Sequence, residues 1–307
     1  MKKLHGKSRW ILTAAAIAAA LFCLLRMVVI EPSMLVKKSS LMPVENLPRE
    51  LEGFSIMLVS DTHFRNGERR RMEKIHRAAE ELKPDMIVLL GDYRCLSFDG
   101  EKAVSDEDMA YFFSGFAAPH GVFAVFGNHD FWHSRSSLRR AAAGTNVRFL
   151  KSQWVKTAVG ESGFMLFGAD DFKTSDRAAA LPPPPAEGEN MTKLLFCHNP
   201  DTFVKYQDVK FDAAFAGHLH GGQICMPWGT SLLGTIYSGS FFESGINEHN
   251  GRKLYMTSGA GGERFFYRWN CPPEVVLIKL CRPEKCPDLP IHKPVIRPEK
   301  SKNEMPS

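Results

Sequence analysis

Outside its first 40 residues the chain has no surplus of positive charge. The first 40 positions hold seven basic residues and one acid, so 32 of the 39 basic and 33 of the 34 acidic residues lie in the rest. A nucleic-acid-binding domain concentrates basic groups on its folded body, so this class is excluded and no nucleic-acid partner is expected. The positive charge at the amino-terminal end favours a membrane surface instead.

The chain also lacks internal repeats and a dense cysteine framework. Seven cysteines are an odd number without regular spacing, which favours a reducing compartment over a disulfide-stabilised secreted domain. With 44% hydrophobic and 24% charged residues, the composition is neither disordered nor fibrous. The 307 positions allow one large domain or two small ones, with a sizeable core.

Residues 1–31 carry an apolar run behind a basic start. The run from Trp10 to Ile30 is 21 residues long and contains Arg26 near its end. This is just enough to cross a bilayer as a helix, and Arg26 can extend to the lipid headgroups. We interpret the segment as an uncleaved membrane anchor, although a cleaved signal peptide or a helix in the membrane interface has the same features. Basic residues flank both ends, so the side of the membrane stays open.

Residues 32–48 are interpreted as a linker, residues 49–281 as one domain, and the proline- and charge-rich residues 282–307 as a disordered tail. Inside the domain, short apolar runs alternate with helix-like ones, which predicts an α/β fold. The predicted helices are Glu68–Leu82, Asp106–Phe116 with Ser105 as its cap, and Ser134–Ala143. The predicted strands are Phe54–Ser60, Met86–Leu90, Val122–Phe126, Phe164–Gly168, Lys193–Cys197, Ala213–Ala216, Lys253–Thr257 and Val275–Leu280.

Five short polar motifs each follow one of these strands. Because the carboxyl ends of strands in an open α/β sheet converge on one edge, residues far apart in sequence can share a site there. Their carboxylate, amide and imidazole groups suit divalent first-row metals. Each motif alone is weak evidence, but the ordered series is specific. The motifs are Asp61-Thr62-His63, Gly91-Asp92, Gly127-Asn128-His129-Asp130, His198 and Gly217-His218-Leu219-His220.

This series resembles the motifs of the calcineurin-type metallophosphoesterase family, over about residues 54–280. The resemblance implies an α/β fold of two packed mixed β-sheets flanked by helices. It also implies two divalent metal ions, with manganese as the first choice and iron, zinc or magnesium as alternatives. One ion would be held by Asp61, His63 and His220, the second by Asn128, His198 and His218, with Asp92 bridging the two.

The same resemblance assigns catalytic roles beside the metals. His129 would contact the phosphate and protonate the leaving oxygen, and Asp130 would orient His129. Asp92 counts among the catalytic residues as the bridging ligand. Independently of the resemblance, Arg94 and Arg264 are candidates for binding the substrate phosphate, although Arg94 could equally be solvated.

The flanking residues resemble a bacterial group of membrane- or envelope-associated phosphodiesterases. The protein phosphatases of the family read G-D-x-V-D-R-G and G-N-H-E, whereas this chain has Gly91-Asp92-Tyr93-Arg94 and ends the second motif with Asp130. The segments His198–Asp201 and Gly217–Gln223 match the bacterial group. Some of its chlamydial members hydrolyse UDP-2,3-diacylglucosamine to lipid X (2,3-diacylglucosamine 1-phosphate) and UMP in lipid A biosynthesis.

The leading hypothesis is therefore a membrane-associated enzyme of this kind, on the cytoplasmic face of a bacterial inner membrane. Its partners would be a lipid- or nucleotide-linked phosphoester and membrane lipid, and no protein partner is implied. Two surfaces could receive the lipid: an apolar groove (Leu232, Leu233, Ile236, Tyr237, Phe241 and Phe242) and a cationic, aromatic edge over residues 264–269. The alternatives are a broad-specificity envelope phosphodiesterase with a small soluble substrate, and a non-catalytic metal-binding membrane scaffold.

Overall fold

A long apolar helix leads into a two-sheet body. The computed structural model describes residues 2–95, 104–132, 134–171, 182–232, 242–262 and 266–294. Helix α1 (Lys2–Leu25) continues through a π-helical turn (Arg26–Ile30) into the short α2 (Glu31–Ser33). Among the described residues, Arg9–Ser33 is the one helical stretch that is long and apolar enough to cross a membrane, and its apolar part is not buried against the body.

The first sheet has six strands. Their bounds are β1 (Val36–Pro43), β2 (Ser55–Val59), β3 (Met86–Leu89), β4 (Val122–Ala124), β5 (Val147–Phe149) and β12 (Glu274–Cys281). They lie in the order β1-β12-β2-β3-β4-β5. All neighbours are parallel except β12 and β2, so the sheet is mixed.

The second sheet has seven strands. Its remaining members are β6 (Gln153–Val159), β7 (Ser162–Gly168), β8 (Thr192–Phe196), β9 (Ala213–Ala216), β10 (Gly245–His249), β11 (Arg252–Met256) and β13 (Ile291–His292). They lie in the order β13-β10-β11-β9-β8-β7-β6. The pairs β10–β11 and β6–β7 are antiparallel and the others are parallel.

The two sheets pack face to face, and helices cover their outer faces. Side chains alternate between the faces of a strand, so Ile56 and Leu58 enter the core between the sheets, while Met57 and Val59 enter the core under the helices. The second sheet divides its residues in the same way, with Phe196 in the inner core and Leu195 in a third core on its outer face. These layers confirm the predicted fold class.

The helices of the body are short, and several match the predicted ones. Their bounds are α3 (Arg69–Leu82), α4 (Asp106–Ser114), α5 (Asn128–Trp132), α6 (Arg135–Ala141) and α7 (Asp201–Lys205). The Ser105 hydroxyl accepts a hydrogen bond from the Asp108 N–H, which confirms the predicted cap of α4.

Two segments differ from the interpretation of the termini. The linker over residues 32–48 contains strand β1, which pairs along its whole length with β12. In the tail that was expected to be disordered, β13 pairs with β10, and a disulfide joins Cys281 to Cys286. The expectation of reduced cysteines does not include this disulfide. It forms because a single 3-10 turn between Cys281 and Cys286 brings the two sulfur atoms together.

Candidate metal centre

The seven predicted metal ligands lie at one edge of the sandwich, where strands of both sheets end. The first sheet contributes Asp61 and His63 after β2, Asp92 after β3, and Asn128 at the start of α5. The second sheet contributes His198 after β8, and His218 and His220 after β9. Backbone hydrogen bonds connect these turns, including Asp61 N–H to Gly91 O at 3.0 Å and Gly217 N–H to His198 O at 3.0 Å.

One half of the site contains Asp61, His63 and His220. The Nε2 atoms of His63 and His220 are 3.2 Å apart, and His220 Nε2 lies 3.7 Å from Asp61 Oδ1. All three side chains are buried, and one ligand atom of each fits within a sphere of metal-site dimensions. Buried polar atoms that face each other this closely without solvent are typical of a cation site.

The other half contains His198 and His218, and Asp92 lies between the halves. His198 Nε2 is 3.1 Å from His218 Nδ1 and 3.1 Å from Asp92 Oδ2. The same Asp92 oxygen is 3.5 Å from His63 Nε2. On its far side, the His198 ring donates from Nδ1 to the Leu90 carbonyl at 2.8 Å, which directs Nε2 at the other polar atoms.

Backbone strain is concentrated at these residues. A non-glycine residue in the left-handed region costs about 1–3 kcal/mol and persists where its surroundings impose it, often at functional sites. Five of the seven predicted ligands have such a positive φ: Asp61 (53°), His63 (40°), Asp92 (55°), His218 (73°) and His220 (50°). The positive φ values turn the chain sharply at these residues, so that neighbouring polar side chains point into one pocket.

Two glycines allow the turns to approach each other. A Cβ on Gly127 would lie 2.1 Å from Asp92 Oδ1, and a Cβ on Gly217 would lie 2.0 Å from Ser60 Oγ and 2.3 Å from Asp61 Oδ2. These contacts are far inside van der Waals range, so any side chain at either position displaces a predicted ligand.

Burial and mutual charge set the protonation of the site. Burial lowers the pKa of both His63 and His220 well below the ordinary value, so both rings are neutral and able to bind a metal. Burial also lowers the pKa of His198, but the Asp92 carboxylate outweighs it and raises that pKa to about 10. Burial raises the pKa of Asp61 to about 6 against the opposing charge of His198.

The residues fit a dinuclear metal group. The buried Asn128 Oδ1 has no hydrogen-bond partner among the described residues, although such atoms are normally satisfied. The backbone N–H of its neighbour His129 donates to Asp92 Oδ1, so Asn128 lies in a turn that contacts the carboxylate between the two halves of the site. Imidazoles, carboxylates and an amide oxygen form a donor set for divalent first-row ions, and His198 would give up the proton on Nε2 when it binds one.

His129 and Asp130 differ in what they contact. The His129 ring packs edge-on against the His63 ring with centroids 4.6 Å apart, and the backbone N–H of His129 donates to Asp92 Oδ1 at 2.9 Å. Asp130 accepts hydrogen bonds from the backbone N–H groups of Gly127, Asp92 and Tyr93 at 2.8, 2.8 and 3.0 Å. Asp130 therefore holds the turns that carry Asp92 and Asn128, a positioning role other than the predicted orientation of His129.

The two arginines proposed for substrate binding have different outcomes. Arg94 is 5% exposed, and its guanidinium donates to Asp106 Oδ1 at 2.6 Å and to Ser137 Oγ at 3.2 Å. These contacts join α4 to α6 and give Arg94 a structural role, and its assignment to a substrate phosphate stays a prediction. Arg264 lies outside the described residues.

The predicted lipid-binding surfaces are described only in part. Leu233, Ile236, Tyr237, Phe241 and Phe265 lie outside the described residues. Phe242 is buried, whereas Leu232 is exposed. Arg268 is fully buried rather than on a membrane-facing edge.

Arg268 is a positioning residue that the sequence did not predict. Its guanidinium donates to the carbonyls of His220 (2.9 Å), Cys271 (3.1 Å) and Ser258 (2.9 Å), and also to that of Gly261. The contact with His220 ties Arg268 to the turn of a predicted ligand. Its only sequence signal was its position among aromatic residues, which suggested a surface.

Comparison with known proteins agrees with this geometry. The family model for calcineurin-like phosphoesterases matches residues 54–222, more than half of the chain. The chain belongs to the calcineurin-like phosphoesterase family. It is therefore a hydrolase of this family, which acts on phosphoesters, and its clustered donors form a candidate metal site.

Members of the family from several bacteria are similar to this chain. Phosphodiesterase YaeI of Escherichia coli is 31% identical over 65% of this chain and 72% of its own length. The UDP-2,3-diacylglucosamine pyrophosphatase LpxG of Chlamydia trachomatis is 25% identical over 76% of this chain and 86% of its own length. Among solved structures, an archaeal phosphodiesterase matches 67% of this chain and 84% of its own, with 12% identity and a TM-score of 0.34.

Proposed function

We propose that this family member is a membrane-attached, dinuclear-metal pyrophosphatase that hydrolyses UDP-2,3-diacylglucosamine to 2,3-diacylglucosamine 1-phosphate and UMP. The observation that carries the hydrolase chemistry is the buried set of donors at the strand ends of both sheets. The similarity to LpxG and the exposed apolar helix Arg9–Ser33 support the lipid-linked substrate. A diphosphate attached to acyl chains lies at the membrane surface, where an anchored enzyme meets it.

The proposed ligand set follows the two halves of the site. Asp61, His63 and His220 would hold one ion, and Asn128, His198 and His218 the other. Asp92 Oδ2 contacts a histidine of each half, at 3.5 Å for His63 and 3.1 Å for His198, which suits a bridging carboxylate. When bound, the ions would supply an activated water and polarise a phosphoryl oxygen.

In this reaction a water oxygen forms a new P–O bond and the P–O–P bridge of the diphosphate breaks. The His129 ring packs on the His63 ring at the edge of the donor cluster, and from there it would give a proton to the leaving oxygen. Asp130 fixes the turns on which His129 and Asp92 stand. The buried setting keeps these groups aligned and away from bulk water.

A second candidate has its own support. YaeI, 31% identical, bears the name phosphodiesterase, and this favours a broad envelope phosphodiesterase with a small soluble substrate. A non-catalytic scaffold is not favoured, because the chain is a hydrolase of this family and no residue of the motif series is replaced.

One assay separates the two candidates. Full-length protein in detergent or vesicles receives manganese and either UDP-2,3-diacylglucosamine or a chromogenic phosphodiester, and UMP and the chromophore are measured. We expect UMP release that is lost in Asp92→Asn. Chromophore release without UMP would reject the lipid substrate and leave the second candidate, whereas neither product over a full metal panel would reject both.

A further inference from the structure

The amino-terminal helix does not end in a loose tether. The Arg268 N–H donates to the Met27 carbonyl at 2.9 Å, and the Cys271 N–H donates to Glu31 Oε1 at 2.6 Å. Arg26 donates to Asn270 Oδ1 at 2.8 Å and lies 4.7 Å from the centroid of the Trp269 ring. We call these contacts between residues 26–31 and 268–271 the helix junction. It fixes the orientation of the body relative to the helix.

The helix junction also sets the distance of the metal centre from the membrane. The backbone of Arg268 contacts Met27, which belongs to the apolar helix, while its guanidinium donates to the carbonyl of His220. One arginine side chain therefore separates the end of the helix from the turn of a predicted ligand. If the helix crosses a bilayer, the metal centre lies close to the layer of lipid headgroups.

A short hairpin over residues 224–232 lies against the same segment. Ile224 forms a β-bridge with Trp269, and the Cys225 N–H donates to the Trp269 carbonyl at 2.8 Å. The hairpin is closed by hydrogen bonds from Met226 N–H to Thr230 O and from Leu232 N–H to Ile224 O, both at 2.9 Å. The base of the hairpin, at Ile224, is therefore paired directly with Trp269 of the helix junction.

The hairpin presents large apolar side chains to solvent. Trp228 at its turn is 71% exposed and Leu232 is 51% exposed. The turn is about four residues from the bridge, so it lies within roughly 13 Å of Trp269 at about 3.3 Å per residue. The headgroup region of a bilayer has a comparable depth, and tryptophan is enriched there because it joins an apolar ring to a polar N–H.

We propose that the hairpin over residues 224–232 is a second membrane contact, with Trp228 and Leu232 inserted into the headgroup layer of the bilayer that the amino-terminal helix crosses. The inference rests on the membrane attachment in the proposed function. Its occupant is a phospholipid bilayer, because the hairpin is continuous with the helix junction and both exposed side chains are apolar. The contact holds the turn of His220, which Arg268 links to the helix junction, near the surface that carries a lipid-linked substrate.

The test is tryptophan fluorescence of the full-length protein in vesicles of phosphatidylglycerol and phosphatidylcholine with brominated acyl chains, which quench only nearby rings. The difference spectrum between wild type and Trp228→Phe isolates Trp228. We expect brominated lipid to quench this difference signal at least about twofold. The matched control is Trp154→Phe, because the Trp154 ring packs on Phe167 and Phe211 of the second sheet, and its difference signal should not change.

The outcomes separate this inference from the one on which it rests. A Trp10→Phe difference signal that is quenched while the Trp228 signal is not would overturn the hairpin contact and leave the anchor in place. Failure of both signals to be quenched would overturn the membrane attachment and the hairpin contact together. Quenching of both supports the inference.

A kinetic readout adds a second arm. Trp228→Ser should lower the rate on a vesicle-embedded lipid substrate about tenfold, because the hairpin loses its main contact with the bilayer. The rate on a soluble chromogenic phosphodiester should not change, since the Trp228 side chain is 71% exposed at the turn of the hairpin. An equal loss on both substrates, or no loss on either, would contradict the proposed contact.

Discussion

The metal centre and the helix junction are both built from buried polar groups, but the chain assembles them differently. Each donor of the metal centre stands in a turn directly after a strand, so the sheets place it. The helix junction instead joins residues about 240 positions apart, as in Cys271 to Glu31 and Arg26 to Asn270. Local motifs reveal the first kind of site, whereas only the folded structure reveals the second.

The largest effect is expected for His129→Ala. Loss of a general acid lowers turnover about 10²- to 10⁴-fold, while metal content stays near the wild-type value if His129 is not a ligand. Steady-state kinetics and elemental analysis on the same sample check this, with His120→Ala as the control, because the half-buried His120 ring contacts Phe54 and the Ala158 carbonyl. Loss of metal together with activity would make His129 part of the metal site instead.

Gly217→Ala tests whether the turns of the metal centre tolerate a single methyl group. The new Cβ would overlap Ser60 Oγ and Asp61 Oδ2, so we expect metal affinity to fall about 10- to 100-fold. Titration with a metal indicator measures it. As the control, Gly53→Ala strains a turn with open space around it and should leave the affinity unchanged. Equal affinities in the two variants would mean that the approach of the turns is not needed.

Arg268→Met tests the connection between the two regions. The substitution leaves buried carbonyls without a donor, and we expect unfolding free energy to fall by about 3 kcal/mol, with metal affinity reduced about tenfold through His220. Arg252→Met is the matched control, because Arg252 donates to the carbonyls of Phe203 and Tyr206, away from the metal centre. Denaturation and metal titration of both variants separate stability from positioning. If the two variants bind metal equally, Arg268 is only structural.

The smallest effect is expected for Arg26→Gln. Arg26 is partly exposed, and its ion pair with Glu31 spans 3.3 Å at the edge of the body. Glu31 is buried but keeps its hydrogen bond from the Cys271 N–H in this variant, so we expect a loss of only about 1–2 kcal/mol. Thermal unfolding should shift by only a few degrees, and turnover on a soluble phosphodiester should stay the same. A large loss of stability would contradict this expectation and show that the helix junction contributes as much to the stability of the fold as the turns of the metal centre.

The same contrast explains how much of the fold the sequence could predict. Strands β2, β3, β8 and β9 are mostly buried on both faces, and each contains a continuous apolar run. Such runs are typical of buried parallel strands, so the sequence predicted them. The sequence did not predict the edge strands of both sheets, β1 and β5 in one and β6 and β13 in the other, nor β10 beside the edge of the second sheet. An edge strand carries polar residues on exposed positions, as Lys37 and Ser39 do in β1, and its pairing is set by a distant partner.

The site residues show the same difference between positions set by the local sequence and positions set by distant partners. All seven predicted ligands lie together because strand ends determine their positions. The roles of Arg94 and Arg268 could not be predicted, because their partners come from other elements: Asp106 and Ser137 for Arg94, and the backbone around His220 for Arg268.

The proposed dinuclear site is best examined through the metal stoichiometry of the folded protein. Purified full-length protein is incubated with manganese, freed of unbound ions and measured by elemental analysis beside Asp92→Asn. We expect about two ions per chain for the wild type and about one or fewer for the variant, because Asp92 lies between the two halves of the site. A folded wild type without stoichiometric metal over a panel of manganese, iron, zinc and magnesium, or a variant that keeps both ions, would contradict it.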